Sequence, residues 1–267
     1  MEIQPRRFGD TLADLISMLG KVWRPLLMPA LASSVVVAVT SFLILDRTGA
    51  LDVLDLTFAD PEFFDTLGDD QLFELMVDLG TGFVWVALVS VMLYGFLYLV
   101  AARAVGQALS TDGSDSSVVG AALRLWLPWL VTMALIYVGV VAGLLLLILP
   151  GIWLGISLSM ATPVVAIEGS GPIAAIRRSF ELVKGKWWET FGFLALIGLI
   201  GGTATQLIQV FALPLFLSGD TSIAFGITIA LALAVQGLIV AAIAVGSTVW
   251  YLNLRARTDG PYRVEIS

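Results

Sequence analysis

The sequence predicts an all-α integral membrane protein: a six-transmembrane-helix bundle built of three helical hairpins, each preceded by an inner-leaflet amphipathic helix. Three observations predict it. First, 58% of the 267 residues are apolar and 13% are charged, against about 45–50% and about 25% in soluble domains. A chain of this length cannot hide that much apolar surface in one core, so lipid is the natural solvent for the excess. Second, the apolar residues fall into six uncharged runs of near-spanning length. Third, a pattern of amphipathic stretch, basic–aromatic edge and two apolar runs occurs three times.

A membrane helix needs about 20 apolar residues to cross about 30 Å of hydrocarbon. The runs are 25–45, 83–102, 127–149, 152–167, 188–211 and 223–252. Helix rather than strand is required, because lipid satisfies no open backbone groups and the runs show no apolar–polar alternation. The first run begins late and ends in Ile44-Leu45-Asp46 without a small-residue cleavage site, which does not fit a signal peptide. Pro150-Gly151 is read as the tight turn between the third and fourth runs. The fourth run is short and carries Pro163, so runs three and four can also form a re-entrant hairpin. That alternative leaves four spans and moves neither terminus.

Orientation follows from charge. With residues 1–24, 103–126, 168–187 and 253–267 in the cytoplasm, 13 of the 14 Lys and Arg lie inside and Arg47 alone lies outside. The outer loops, 46–82 and 212–222, then carry about −10 and the inner segments about +3, consistent with the chain's net −7. Trp23, Trp126, Trp129, Trp187, Trp188 and Trp250 are expected at inner span ends, and Trp85 and Trp153 at outer ends, where amphipathic rings meet headgroups. The chain is placed in the plasma membrane of a bacterial-type cell with both termini cytoplasmic.

The repeated unit begins at Phe8–Val22, Ser117–Leu125 and Pro172–Val183. The third copy is the clearest. Gly171-Pro172 suits a helix start with Pro at the first helical position, and Gly185 suits a stop. Ile173, Ile176, Phe180 and Val183 recur at helical spacing, and Arg177 and Glu181 can pair four residues apart. Such a helix anchors at the interface or docks anionic lipid or a membrane-protein partner. The contact residues expected there are Glu168, Arg177, Arg178, Lys184, Lys186, Trp187 and Trp188, with Glu168 paired to Arg177 or Arg178.

Several chemistries are closed. The chain has no His and no Cys, which removes the commonest general base, thiolate catalysis and the usual transition-metal ligands. There is no phosphate loop, dinucleotide fingerprint or nucleophile elbow, so no enzyme activity and no cofactor are expected. The acidic balance argues against nucleic acid. Ten carboxylates crowd residues 46–80 without the calcium-loop pattern, and they read as a solubilising cap. Asp60-Pro61 and Asp69-Asp70 mark starts of short helices packed there. No Asp, Glu, Lys or Arg lies deep in a run, which argues against a proton-coupled carrier. Gln206 and Gln209 share a face and suggest a small polar cavity between the fifth and sixth spans. Gly139/Gly143, Gly151/Gly155 and Gly198/Gly202 have the spacing of close helix packing.

Residues 150–188 read PGIWLGISLSMATPVVAIEGSGPIAAIRRSFELVKGKWW. The Pro150-Gly151, Glu168-Gly169, Arg178-Ser179 and Gly185-Lys186-Trp187-Trp188 elements resemble the bacterial and archaeal family called the glycerophosphoryl diester phosphodiesterase membrane domain. Trp23-Arg24-Pro25-Leu26 is similar too, and the resemblance covers residues 8–257. It implies a membrane module of uncharacterised role. The phosphodiesterase domain that gives the family its name, with its His pair and acidic metal ligands, has no counterpart here. The leading functional expectation is a non-enzymatic scaffold, accessory or inner-leaflet lipid-interacting protein. The alternative is a transporter or channel for a small uncharged or amphipathic solute.

Overall fold

The computed structural model describes residues 2–49, 67–110, 117–217 and 223–264, with side chains omitted at 2, 208, 209, 211–231 and 233. In chain order the elements are β1 (Glu2–Ile3), α1 (Phe8–Arg47), α2 (Asp69–Leu109), α3 (Val118–Leu146), α4 (Ile148–Ser157), α5 (Ala161–Glu168), α6 (Pro172–Val183), α7 (Trp187–Leu217), α8 (Ile223–Asp259) and β2 (Tyr262–Arg263). The fold is an all-α membrane bundle. Among the described residues, six helical segments are long and apolar enough to cross a bilayer. β1 pairs antiparallel with β2, Glu2 opposite Arg263, so the two termini lie on one face of the membrane.

The amphipathic leaders differ from expectation. The first is continuous with its span: α1 runs 40 residues, through Pro25 and Pro29. The second is the first part of α3, which runs through Pro128. Proline costs one backbone bond inside a helix, and nearby hydroxyls and neighbouring helices make it tolerable in membrane helices. The third leader alone is a separate helix, α6, ended by Gly185 at φ 77°. On the opposite side, Asp69 and Asp70 do start a helix, but it is the first turn of α2 rather than a short cap. The Asp60-Pro61 expectation and residues 50–66 of the acidic loop lie outside the described residues.

The turn between the third and fourth runs falls at Leu147, not at Pro150-Gly151. Leu147 is extended (φ −159°, ψ 138°) and its amide donates to the Gly143 carbonyl. Pro150 sits in the first turn of α4, where its missing amide hydrogen has no helical acceptor anyway. Glycine is needed for packing here, not for bending. A Cβ on Gly151 would stand 2.4 Å from Leu144 Cγ and 2.7 Å from the Leu144 amide nitrogen, and one on Gly143 would stand 3.0 Å from Gly151 Cα. The two glycines that let helices approach therefore come from different expected pairs. Gly139, Gly155, Gly198 and Gly202 have open space at the Cβ position.

The chain packs as two compact units. One comprises Met1–Pro29, Phe96–Thr203 and Leu238–Ser267; the other comprises Ala30–Gly95 and Ala204–Gly237. In the second unit α1 and α8 meet backbone to backbone: a Cβ on Gly237 would lie 2.2 Å from Ser34 Oγ and 2.6 Å from the Ala30 carbonyl. The first unit holds α3–α6, both strands and a core of Leu97, Met160, Ile167, Phe193, Trp250 and Tyr251. Trp129 and Trp250 belong to buried structure rather than to headgroup edges. Trp250 stacks on Phe193 at 4.6 Å and Trp129 Nε1 donates to Thr162 Oγ1 at 3.1 Å.

Gly151→Ala is expected to lower stability in detergent by about 1–3 kcal/mol through overpacking. Gly155→Ala, with open space at its Cβ, should stay within about 0.5 kcal/mol. Thermal unfolding followed by intrinsic tryptophan fluorescence checks both.

Candidate functional site: the basic face around Glu168

Glu168 is the last residue of α5, and its position is set by the residue after it. Gly169 is left-handed (φ 63°, ψ 19°) and its amide donates to the Val165 carbonyl, closing the helix. The chain then reverses into α6, which starts with Pro172 after an extended Gly171. Reversal brings Arg178 onto Glu168: Nε donates to Oε1 at 3.4 Å. Tyr251 of α8 donates its hydroxyl to the same oxygen at 2.7 Å, and Arg255 Nε lies 3.9 Å away.

The cluster extends one layer further. Arg178 also donates to Asp259, which Arg255 approaches at 3.7 Å. The Arg255 guanidinium lies 4.3 Å over the Tyr262 ring. Glu168 and Asp259 thus face Arg178 and Arg255 with side chains only 18–36% exposed, and the more open Glu181 reaches Arg178 Nη1 at 3.8 Å. Burial works against the charge of Arg178, but Asp259 and Glu168 hold its pKa above the ordinary value. Burial is also the first cause that pushes the Tyr262 hydroxyl well up, with Glu168 adding to it against Arg255. The set clamps α5, α6, α8 and β2 together.

Ser179 is the residue the apolar stripe of α6 gave no reason to single out. Its hydroxyl donates to the Ser157 carbonyl at 2.9 Å and accepts from the Met160 amide at 3.2 Å. It therefore satisfies the backbone groups exposed where α4 breaks into α5. The buried face of α6 is Ala175, Ser179, Leu182 and Val183, whereas Ile173 is 78% exposed. The expected stripe is thus rotated: small residues face inward, and Ile173 and Arg177 point away from the protein.

The seven expected contact residues divide into two sets. Glu168 and Arg178 are consumed by the clamp. Lys186 joins α8, donating from Nζ to Thr258 Oγ1 at 2.8 Å. Burial, reinforced by the nearby Arg257 charge, lowers its pKa. Arg177, Lys184 and Trp188 are exposed, and Trp187 is half-buried. Arg177 meets Glu181 at 3.8 Å, the expected pair, with 83% of its side chain open. Exposed pairs of this kind contribute about 0–1 kcal/mol.

Around that outward set lies a groove of about 510 Å³, lined by Trp153, Phe180, Val183 and Trp187 with Arg177 and Lys184 at its rim. Trp153 and Phe180 rings are 5.4 Å apart, and Trp187 Nε1 donates to the Trp153 carbonyl at 3.3 Å. Trp153, expected at the opposite membrane edge from Trp187, therefore sits beside it. A smaller cavity of about 120 Å³ lies under the N-terminal strap, with Arg6, Asp14, Lys21 and Asn253 among its lining. It falls below the roughly 300–1,000 Å³ of ordinary ligand pockets. Asn253 spends its amide on the strap, donating to Thr11 Oγ1 and accepting from the Arg6 amide, both at 2.9 Å.

Of the expected glutamine face, only Gln206 has a described side chain. Gln206 is exposed, and the Gln209 side chain lies outside the described residues. Among the described residues no group of three or more acidic side chains is placed to hold a metal ion. Comparison with protein-family models, curated proteins and solved structures finds no match to this chain.

Removing the shared carboxylate leaves two guanidiniums short of counter-charge. Glu168→Gln is therefore expected to cost about 1–3 kcal/mol, part of the charge penalty being relieved by solvent. Arg177→Ala should change stability by less than about 0.5 kcal/mol. Chemical unfolding of the two variants in the same detergent distinguishes clamp from surface.

Proposed function

We propose that this chain is a non-enzymatic multi-pass membrane protein that holds anionic phospholipid at its basic face, and that this face is cytoplasmic. One observation carries the reading: the groove between α4, α6 and the start of α7 joins an aromatic floor to the exposed cations Arg177 and Lys184, against the one carboxylate of its lining, Glu181. Amphipathic rings favour the headgroup level, and an anionic headgroup favours Lys and Arg. The cations on the rim are the ones the clamp leaves available, since Arg178 and Lys186 bond inward. Thirteen of the chain's 14 cations fall on this face under the orientation expected from charge, which matches the lipid asymmetry of a cytoplasmic leaflet.

The reading makes the protein a lipid-dependent scaffold rather than a carrier.

Each Lys or Arg near an anionic surface is worth about 1 kcal/mol. The double variant Arg177→Ala/Lys184→Ala should therefore lose roughly 10–30-fold in preference for phosphatidylglycerol over phosphatidylcholine. Native mass spectrometry after exchange into mixed-lipid nanodiscs reads this directly. Equal retention of the two lipids by the unmodified protein would remove the proposal.

A further inference from the structure

We infer that the α3–α4 hairpin does not cross the membrane: it enters and leaves through the face that bears the termini, and its apolar surface is covered by the acyl chains of that leaflet. The inference concerns where the hairpin lies and is independent of headgroup binding in the groove.

The first observation is how α4 and α5 meet α6. Their contacts centre on three consecutive residues of α6: Glu168 meets Arg178, Met160 and Ser157 meet Ser179, and Trp153 meets Phe180 and then Trp187 at the start of α7. α6 cannot cross a bilayer. It is 12 residues long and carries Arg177 with 83% of its side chain open, and an exposed charge at the bilayer centre is prohibitive in a helix that has an interface available. Trp153 and Glu168, 15 residues apart, both stay within side-chain reach of one turn of this interfacial helix. The segment between them is therefore centred on the interface rather than on the bilayer midplane.

The second observation is depth. Trp153 is tied to Trp187, the residue at which α7 begins, and only six residues separate Trp153 from the turn at Leu147. Six helical residues rise about 9 Å, and even with the reach of an indole added the tip stays well short of the roughly 30 Å of hydrocarbon. α3 packs on the same line, with Trp129 on Thr162 and Gly143 against Gly151, so it shares the tilt. Its length allows a crossing and its neighbours do not.

The third observation is the tip itself. From Val138 to Ile156 the chain has no charged, hydroxyl or amide side chain. Leu145, Leu146, Leu147, Ile148 and Leu149 are 69–84% exposed. A turn that emerged into water on the far side would present this cluster to solvent, where contiguous apolar patches are rare. Embedded in acyl chains it is favourable. The single-residue break, whose amide is bonded to Gly143, leaves little backbone unsatisfied for lipid to penalise.

The chain has no cysteine, so single thiols report position without background. Leu145→Cys and Leu147→Cys alter exposed side chains and should fold; unchanged unfolding temperature verifies this for each. Both are treated with a membrane-impermeant maleimide in sealed vesicles of each orientation, beside Arg7→Cys for the terminal face and Asp46→Cys for the opposite face. The expected result is no labelling of either tip thiol from the side that labels Asp46→Cys, with full labelling after detergent. Labelling of the tip thiols from the Asp46→Cys side, at a rate within threefold of that control, would overturn the inference.

Discussion

The first unit depends on one cluster of paired charges. Glu168 and Asp259 face Arg178 and Arg255, with Tyr251 and Tyr262 closing the sides. Charges this far out of water are tolerated only when each finds a partner, and losing one partner costs more than the pair returns. The residues come from four elements, α5, α6, α8 and β2. Their separate positions are therefore not independent: the left-handed Gly169 aims Glu168, the reversal into α6 supplies Arg178, and the last turns of α8 supply the rest. The short β1–β2 pairing then holds the N-terminal strap to the same end.

That cluster also sorts the cations by task. Arg178, Arg255, Arg257 and Lys186 are bonded inward, to Asp259, Glu168, Glu189 and Thr258. Arg177 and Lys184 stand on the other side of α6 and face outward. Neighbours in sequence thus have opposite roles, because successive residues on a helix point about 100° apart and only one can face the clamp. A basic run that looks uniform in the sequence is half bonded within the bundle and half exposed.

Packing in α3–α6 relies on small groups where helices touch and on one hydroxyl where a helix breaks. Gly143 and Gly151 let two backbones meet, and Ser179 takes up the polar groups that the 158–160 break would otherwise leave open. In a low-dielectric setting an unsatisfied amide or carbonyl costs several kcal/mol, so the break is possible only beside a donor–acceptor such as Ser179. Ala175 and Ser179 on the buried face of α6 allow that approach.

The sequence by itself determined the class: hydrocarbon-length apolar runs and a 13% charged content leave only a helical membrane protein, and the Pro172 start, the Gly185 stop, the Arg177–Glu181 pair and the Glu168–Arg178 pair were legible because they are local, within ten residues. Tertiary structure decided what depends on distant partners. Tyr251 joining Glu168, Asp259 joining Arg178, Trp250 stacking in the core, Ser179 bridging a break, and Trp153 sitting beside Trp187 all join residues 19 to 83 positions apart or elements whose relative rotation no periodicity specifies. Run length likewise states whether a helix can cross a bilayer, but the direction it takes is fixed by what it packs against.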